Sequence, residues 1–355
     1  MAAGVIELSW PSPLPDDAEV ESAVERNDPA EMLRWIDGCC SDRAWARLAE
    51  LRDRCLAAGE RGRQLGGVAA HAEYRLALEA PPEWAAVVCR DGLGRFTPGP
   101  VHEVAASTHS WAELEPHLAG GTDSSLVAHE RVVRGEDLTH VTQTAPASEL
   151  PLRLGLWEPD WAVPTFRPDG VVDPAPALPK QWTELELDPT SIDVQPDADA
   201  DDALARLVTA WTTESEGSLR SVSVDGSAAE ALYALDPGKT IRLAEVSAAA
   251  ALAQIGWAAA GGGAHGRRRG AAAGRAATWW LAATLAGMAD DWPLDPDALG
   301  EAVRSMRWFV WDRDEPDHGW NLRVAVEDPL DGLAWAWEAT DHAENPRRQA
   351  QRHET

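Results

Sequence analysis

The chain has 355 residues, with 59 acidic against 31 basic side chains and a formal net charge of -28. This balance excludes general nucleic-acid binding and docking on anionic lipid, because both require a basic surface. The 45% share of hydrophobic residues allows a substantial core, and the length allows two domains. Composition therefore predicts a folded acidic protein and indicates no activity.

Residues 1–120 show the apolar spacing of short helices and predict a helical domain of the αα-stack type. Asp28-Pro29 is typical of a helix start. Ser41 is expected to cap the next and clearest helix, which ends near Gly59. A further helix is expected from about Gln64 to Glu79.

Residues 121–202 are rich in proline, which interrupts helices and central strands. The large apolar residues Leu156, Trp157 and Trp161 lie among the prolines, so a free linker is not expected. We predict an extended connecting arm that packs across the surface of a domain.

Residues 203–341 predict an α+β domain. Ser221–Val224 has the composition of a short strand, and Ala244–Ala260 and Ala271–Met288 are typical of Ala-rich helices. Three strands should follow, at Met306–Arg313, Trp320–Val326 and Leu333–Ala339, and the short turns between them predict an antiparallel meander. Residues 342–355 predict a flexible tail. The expected fold class is therefore α+β, with an N-terminal helical domain followed by an α+β domain that ends in an antiparallel strand meander.

The cellular location is predicted from segments that the chain lacks. Its four cysteines form no C-x-x-C pair, which favours reduced thiols over disulfides or a zinc site. The N-terminus lacks the basic and apolar regions of a signal peptide, and the longest apolar run, residues 276–289, is too short for a membrane span. We expect a soluble cytoplasmic protein.

Familiar catalytic and cofactor motifs are incomplete. Gly238-Lys239-Thr240 lacks the preceding glycine of a P-loop, and His102-Glu103 and His129-Glu130 each lack the second histidine of a zincin helix. We therefore predict no catalytic residue, no cofactor and no metal ion. Arg134 and His140 have the spacing of the catalytic pair of small helical ribonucleases; the alternative is an ordinary surface turn.

One basic run stands out. Residues 261–275, the Gly/Arg segment, read GGGAHGRRRGAAAGR, and no carboxylate lies between Glu245 and Asp290. Arginine forks and a helix N-terminus both bind anions, so the segment predicts a site for a small phosphate or carboxylate ligand or for an acidic protein partner. The alternative is structural: the glycines let two Ala-rich helices cross closely, while the arginines pair with the protein's own carboxylates. The candidate residues are His265, Arg267, Arg268, Arg269, Arg275 and Asp312.

Asp312 begins an acidic run with Asp314, Glu315, Asp317 and His318. Such oxygens can bind a hard cation, but aspartate and glycine are also what β-turns require. A third possibility is that Asp312 pairs with Arg267 or Arg275.

Several of these residues carry a resemblance. The run Gly-Gly-Ala-His265-Gly, the Gly-Arg275 pair followed by Trp279, and the run Trp308-Phe-Val-Trp-Asp312 resemble a family from high-GC bacteria, a domain of unknown function. The resemblance covers about residues 257–341, and this chain has His265 where the motif has tyrosine. It implies that the Gly/Arg segment and the meander form one unit, and it implies no activity.

Two functions follow as hypotheses. The first is a non-enzymatic cytosolic accessory or binding protein with its anion or partner site in the Gly/Arg segment. The alternative is an enzyme for a phosphorylated or nucleotide-like substrate, with Arg267–Arg269 as a phosphate clamp and His265 as general acid or base. The enzyme requires these side chains to converge on a concave pocket, whereas the accessory protein would have them paired or on a flat surface.

Overall fold

The computed structural model describes residues 15–91, 97–118, 120, 122–140, 149–185, 192–236, 240–313 and 319–342. The chain forms two compact units. Unit 1 comprises Met1–Ala119 with Phe166–Gly170, and unit 2 comprises Gly120–Thr165 with Val171–Thr355. The expected fold class is confirmed, since a helical N-terminal region precedes an α+β region with an antiparallel sheet.

Unit 1 is helical. Its helices are α1 (Asp17–Arg26), α2 (Pro29–Ser41), α3 (Trp45–Glu60), α4 (Gly66–Glu79), α5 (Pro82–Asp91), α6 (Val101–Thr108) and α7 (Trp111–Leu114). The Asp28 side chain caps α2, as the Asp-Pro pair predicts. Residues 166–170 belong to this unit, where the Tyr74 hydroxyl donates to the Arg167 carbonyl oxygen at 2.6 Å.

The prediction that Ser41 caps a helix is wrong. Helix α2 continues through Ser41, whose hydroxyl donates back to the Asp37 carbonyl oxygen at 2.9 Å. The break comes at Arg43, which has a positive φ of 55°, and α3 then begins at Trp45 without a side-chain cap. A serine near a helix end can bond backward into the preceding turn as well as forward into the next.

Unit 2 contains the remaining helices and a large sheet. The helices are α8 (Thr122–Val133), α9 (Ala198–Leu207), α10 (Thr209–Thr213), α11 (Ala228–Leu235), α12 (Ala248–Ala260), α13 (Ala271–Leu285) and α14 (Pro296–Ser305). The strands of the chain are β1 (Thr165–Arg167), β2 (Gly170–Val172), β3 (Thr183–Leu185), β4 (Asp193–Val194), β5 (Ser218–Asp225), β6 (Ile241–Val246), β7 (Arg307–Asp312), β8 (Trp320–Asp328) and β9 (Leu333–Asp341). Seven strands pair in the order β3-β6-β7-β8-β9-β5-β4, and β1 pairs with β2.

The C-terminal meander is confirmed. Strand β8 pairs antiparallel with both β7 and β9, and Ala325 lies opposite Phe309 on one side and Ala336 on the other. The alternating residues Leu322, Val324 and Val326 are buried, as their period of two predicts.

The start of the predicted Ala244–Ala260 helix is wrong. Ile241–Val246 form β6, which pairs with β3 and β7, and α12 begins only at Ala248. Ser247 separates the two elements, because its hydroxyl accepts from the Ala250 backbone N–H at 3.2 Å and caps the helix. Tertiary pairing therefore overrides the helical propensity of Ala244.

The sheet has a core on each face. The larger core packs α9, α10, α12, α13 and α14 against one face, with Trp308, Val324 and Trp337 among its buried residues. The smaller core packs α11 against the other face, around Phe309 and Trp311. Within the described residues, no helix is both long and apolar enough to cross a membrane.

The segment expected to be an extended arm, residues 121–202, contains helix α8 and the short strands β1–β4. The sequence-based division at residues 120, 202 and 341 stays a prediction. The expected tail from residue 343 onward and Gly238-Lys239 lie outside the described residues.

Candidate functional site

The Gly/Arg segment connects α12 to α13, and these helices cross closely. A methyl group on Gly274 of α13 would lie 2.5 Å from the Gly256 carbonyl oxygen of α12, closer than a real Cβ atom can approach. This is the close helix crossing that the structural interpretation of the Gly/Arg segment predicts. It brings the four arginines among carboxylates from distant parts of unit 2.

Arg275 is completely buried. Its guanidinium binds both oxygens of Glu158, at 2.7 and 2.8 Å, and both side chains are 0% exposed. Arg275 also donates to the Pro151 and Arg153 carbonyl oxygens, each at 3.0 Å, and its guanidinium lies over the Trp279 ring. These contacts fix residues 151–158 against α13 and leave Arg275 inaccessible to an external anion.

The N-terminus of α13 also carries an internal anion. Glu130 of α8 is buried and accepts from the Ala272 backbone N–H at 2.8 Å. Its other oxygen accepts from Arg134 at 2.6 Å. A carboxylate is favourable at the positive end of a helix, so Glu130 occupies the position expected for a ligand phosphate. The same pairing commits Arg134, the residue of the ribonuclease hypothesis, to a structural contact, while His140 is exposed.

The other arginines of the segment bind separate groups of the protein. Arg268 is nearly buried and donates to Asp173 at 2.6 Å. Arg267, which is 63% exposed, contacts Glu214 at 3.3 Å. Arg269 is exposed and donates to the Arg206 carbonyl oxygen at 3.1 Å. Their hydrogen bonds diverge instead of converging on one position.

The glycine-rich start of the segment also binds an internal carboxylate. The Ala264 backbone N–H donates to Asp341 at 2.6 Å, beside Gly263, whose φ of 67° favours glycine. His265 is exposed. Five internal carboxylates thus bind the segment: Glu130, Glu158, Asp173, Glu214 and Asp341.

Asp312 lies elsewhere, at the end of β7. It forms ion pairs with Arg242 and with Arg323, the latter at 3.1 Å, so the third possibility, a pairing with Arg267 or Arg275, is wrong. The reason is strand register, which places Arg242 of β6 opposite Asp312. Asp314, Glu315, Asp317 and His318 lie outside the described residues, and those that are described contain no cluster of three potential metal ligands.

Asp312 borders a cavity of about 190 Å³, which we call the Trp-lined cavity. Its lining residues are Ala175, Pro176, Leu178, Trp182, Gln254, Trp257, Val310, Trp311, Asp312, Gly319, Asn321, Leu322 and Arg323. The pairing of β7 with β8 ends at Val310 opposite Val324, and several lining residues lie beyond that point. The cavity therefore forms at the end of the β7–β8 ladder, beside α12 and the Pro-rich segment.

Residues 173–185 supply part of the cavity lining. Contacts with other parts of unit 2 hold both ends of this stretch. Arg268 holds Asp173 at one end, and β3 pairs with β6 at the other. Between them, the Gln254 amide donates to the Pro176 and Ala177 carbonyl oxygens at 3.1 and 3.4 Å. Arg242 lies over the Trp182 ring at 5.3 Å. The Gly/Arg segment thus helps to position one side of the cavity.

The indoles behind the cavity are packed against one another. Trp257 stacks on Trp320 with ring centroids 4.5 Å apart and planes within 10°. Trp211 meets both rings edge-on, at 6.4 and 5.9 Å. Such mutual packing restricts the Trp257 side chain and preforms the wall that it contributes.

Two side chains that line the cavity also carry buried polar atoms. The Trp257 indole nitrogen and the Asn321 side-chain oxygen are buried, and neither has a hydrogen-bond partner in the described part of the chain. One is a donor and the other an acceptor. Leaving such a group unpaired costs about 1–3 kcal/mol. Other described residues also have buried atoms of this kind, including Asp341 at the Gly/Arg segment.

The sequence analysis missed the residues of this cavity. Trp182 and Trp257 are two of the 18 tryptophans in the chain, and Gln254 and Asn321 belong to no motif. The available signal was weak: a polar residue next to tryptophan at the start of a predicted strand. None of the six residues predicted for the anion site except Asp312 lines the cavity.

Comparison with known proteins gives one match. A family model described as a family of unknown function, DUF6183, matches residues 30–343. The resemblance to a domain of unknown function is confirmed and extends well beyond residues 257–341. No curated protein and no solved structure matches the chain.

Proposed function

Because the chain belongs to DUF6183, a family of unknown function, we propose a function from its geometry: a cytoplasmic accessory protein that binds a small ligand in the Trp-lined cavity. The observation that carries the proposal is the cavity itself, about 190 Å³ lined by the three indoles of Trp182, Trp257 and Trp311 and by a few polar side chains such as Asn321. Binding sites are typically apolar concavities with a few polar groups that orient the ligand.

Preorganisation supports the proposal. The stacked Trp257 and Trp320 rings and the tethered 173–185 segment reduce the ordering that binding would require. The arginines of the Gly/Arg segment, in contrast, already bind carboxylates and carbonyl oxygens of the protein itself.

Binding is better supported than catalysis. The described lining contains no serine, cysteine, histidine, lysine or tyrosine, and its one carboxylate, Asp312, is held by two arginines. The alternative phosphate clamp requires guanidinium groups that converge on one ligand, whereas Arg268 and Arg275 bind separate internal carboxylates.

The cysteines support the cytoplasmic part of the proposal. All four are buried thiols in the described part of the chain, and burial raises the pKa of the Cys55 thiol to about 12. Such thiols are small core groups with little reactivity, as in proteins of reducing compartments.

A ligand-observed NMR screen of small ring compounds tests the proposal. Val310→Phe places a larger side chain in the cavity lining, and Val194→Phe is the matched control on an exposed strand position of the same sheet. We expect wild type and Val194→Phe to bind some of the compounds and Val310→Phe to lose them. Equal binding by all three proteins, or no binding by wild type, contradicts the proposal; circular dichroism checks that the variants are folded, and Asn321→Leu provides a second cavity variant.

A further inference from the structure

A proline-rich stretch, residues 173–182, forms one side of the Trp-lined cavity, and we call it the strap. It supplies Ala175, Pro176, Leu178 and Trp182 to the lining, while α12, β7 and β8 supply most of the other lining residues. The cavity therefore lies between the strap and the rest of unit 2. A ligand bound in the cavity would contact both sides.

We infer that the strap is a movable wall of the ligand site, an inference that rests on the proposed function. Arg268 and Gln254 are the positioning residues that hold the strap closed, and ligand binding and strap closure favour each other. Arg268 gives the Gly/Arg segment a role at the cavity, although this arginine is not among the described lining residues.

The strap has no secondary structure that could fix its position. Pro174, Pro176 and Pro179 lack the backbone N–H that a helix or a strand ladder requires. The residues that precede these prolines are restricted to extended conformations. Residues 173–182 accordingly form neither a helix nor a strand. The position of the strap therefore depends on its contacts with the rest of unit 2.

Polar contacts attach the strap to unit 2. The Arg268 guanidinium donates to Asp173 at 2.6 Å, and both side chains are largely buried. The buried Gln254 amide donates to the carbonyl oxygens of Pro176 and Ala177 at 3.1 and 3.4 Å. Both donors belong to α12 or to the segment that follows it, so one part of unit 2 holds the strap.

Little burial opposes the release of the strap. Six of its ten residues are exposed: Pro174, Ala175, Ala177, Leu178, Lys180 and Gln181. Segments with few buried apolar side chains open at a lower free energy than the whole domain. Loss of the contacts of Arg268 or Gln254 should therefore release the strap while the rest of unit 2 stays folded.

Ligand binding and strap closure are thermodynamically linked. The open form lacks the four lining residues that the strap supplies, so a ligand binds the closed form more tightly. The ligand must then stabilise the closed strap by the same factor. For a ligand that requires the closed strap, a concentration of about ten times its Kd should lower the open population about tenfold.

Cleavage of the native full chain by a lysine-specific protease tests the strap directly. Lys180 lies in the strap and is exposed, and Lys239 is the other lysine of the chain. The cleavage rate follows the population of the open form when opening and closing are fast. Mass spectrometry separates the two cuts. A change at Lys180 alone therefore reports the strap, whereas equal changes at both lysines report unfolding of the whole unit.

Arg268→Leu and Gln254→Leu should each raise the cleavage rate at Lys180 by roughly tenfold, the effect of the hydrogen bonds that they remove. Arg268→Lys keeps a positive charge and should restore slow cleavage. Arg267→Leu is the matched control, because Arg267 is the neighbour of Arg268 in sequence but contacts Glu214, outside the strap. Its cleavage rate should equal that of wild type.

Indole, a small ring compound of the NMR screen, is the probe for the linkage. If indole does not bind wild type, the compound of the screen that binds most tightly replaces it. At about ten times the Kd of the probe, we expect cleavage of wild type at Lys180 to slow about tenfold. Cleavage at Lys239 should change less.

The outcomes distinguish the two proposals. A probe that binds wild type without slowing cleavage at Lys180, or that slows both cuts equally, overturns the strap as a wall of the site while the cavity remains a binding site. Equal cleavage rates in Arg268→Leu and Arg267→Leu overturn the positioning role of Arg268. If no ring compound of the NMR screen binds, the proposed function fails together with this inference.

Discussion

The Gly/Arg segment and the Trp-lined cavity lie in the same unit, and both remove polar groups from water. In the segment, the buried guanidinium of Arg275 has a carboxylate and two carbonyl oxygens as partners. In the cavity, the buried polar atoms of Trp257 and Asn321 lack partners in the described structure. The difference indicates that a conspicuous charge run in a highly acidic chain can be structural, because the chain's own carboxylates and carbonyl oxygens bind it.

The largest expected effect comes from Arg275→Leu. It leaves the fully buried Glu158 without its counter-ion, and breaking a buried pair in this way costs about 3–5 kcal/mol. Urea unfolding of wild type and variant at neutral pH measures the difference in the free energy of unfolding.

Arg267→Leu is the matched control for that experiment. Arg267 belongs to the same segment but is 63% exposed, and exposed ion pairs contribute about 0–1 kcal/mol. Similar losses in the two variants would show that burial does not separate the arginines and would contradict the structural role of Arg275.

The second prediction concerns pH and the buried imidazole next to Arg275. Burial, reinforced by the charge of Arg275 and opposed by Glu158, lowers the pKa of His129 from 6.5 to about 4. The folded state therefore binds fewer protons than the unfolded state between these values. The free energy of unfolding should fall by about 3 kcal/mol from this group as the pH drops from 6.5 to 4, with little further loss below pH 4.

His129→Phe isolates this effect, because it keeps a ring of similar size and removes the titration. Urea unfolding at pH 7 and at pH 4 should show a smaller acid loss in His129→Phe than in wild type. His140→Phe, which removes an exposed imidazole, should keep the acid loss because His129 remains. An acid loss as large in His129→Phe as in wild type would assign the loss to other groups.

The contrast also explains what the sequence could predict. Strands β8 and β9 were predictable because their alternation and turns are local signals, read within about ten residues. Strand β6 was not predicted, because it pairs with β7, which lies far from it in sequence. The residues next to Ala244 in sequence favour a helix. The α+β fold class could be predicted because it depends mainly on such local alternation and turn signals.

The partners of the arginines were beyond local signals. Glu158 is 117 residues from Arg275 in sequence, and Glu130 is 142 residues from Ala272. Charge imbalance predicted that internal carboxylates were available, but it could not say which arginines they reach. The cavity was harder still, since it joins the Pro-rich segment, α12 and the end of the β7–β8 ladder.

The smallest expected effect has the opposite sign. Asn321→Leu replaces an amide whose oxygen is buried and unpartnered in the described structure, so we expect a protein as stable as wild type or about 1 kcal/mol more stable. Gln254→Leu is the matched control. Gln254 lines the same cavity, but its side-chain amide donates to the two carbonyl oxygens of residues 176–177. The substitution should therefore lower the free energy of unfolding by about 1–2 kcal/mol. Urea unfolding measures both variants. If Asn321→Leu loses as much stability as Gln254→Leu, the Asn321 side chain stabilises the fold, and its oxygen is not the unpartnered group that the structure shows.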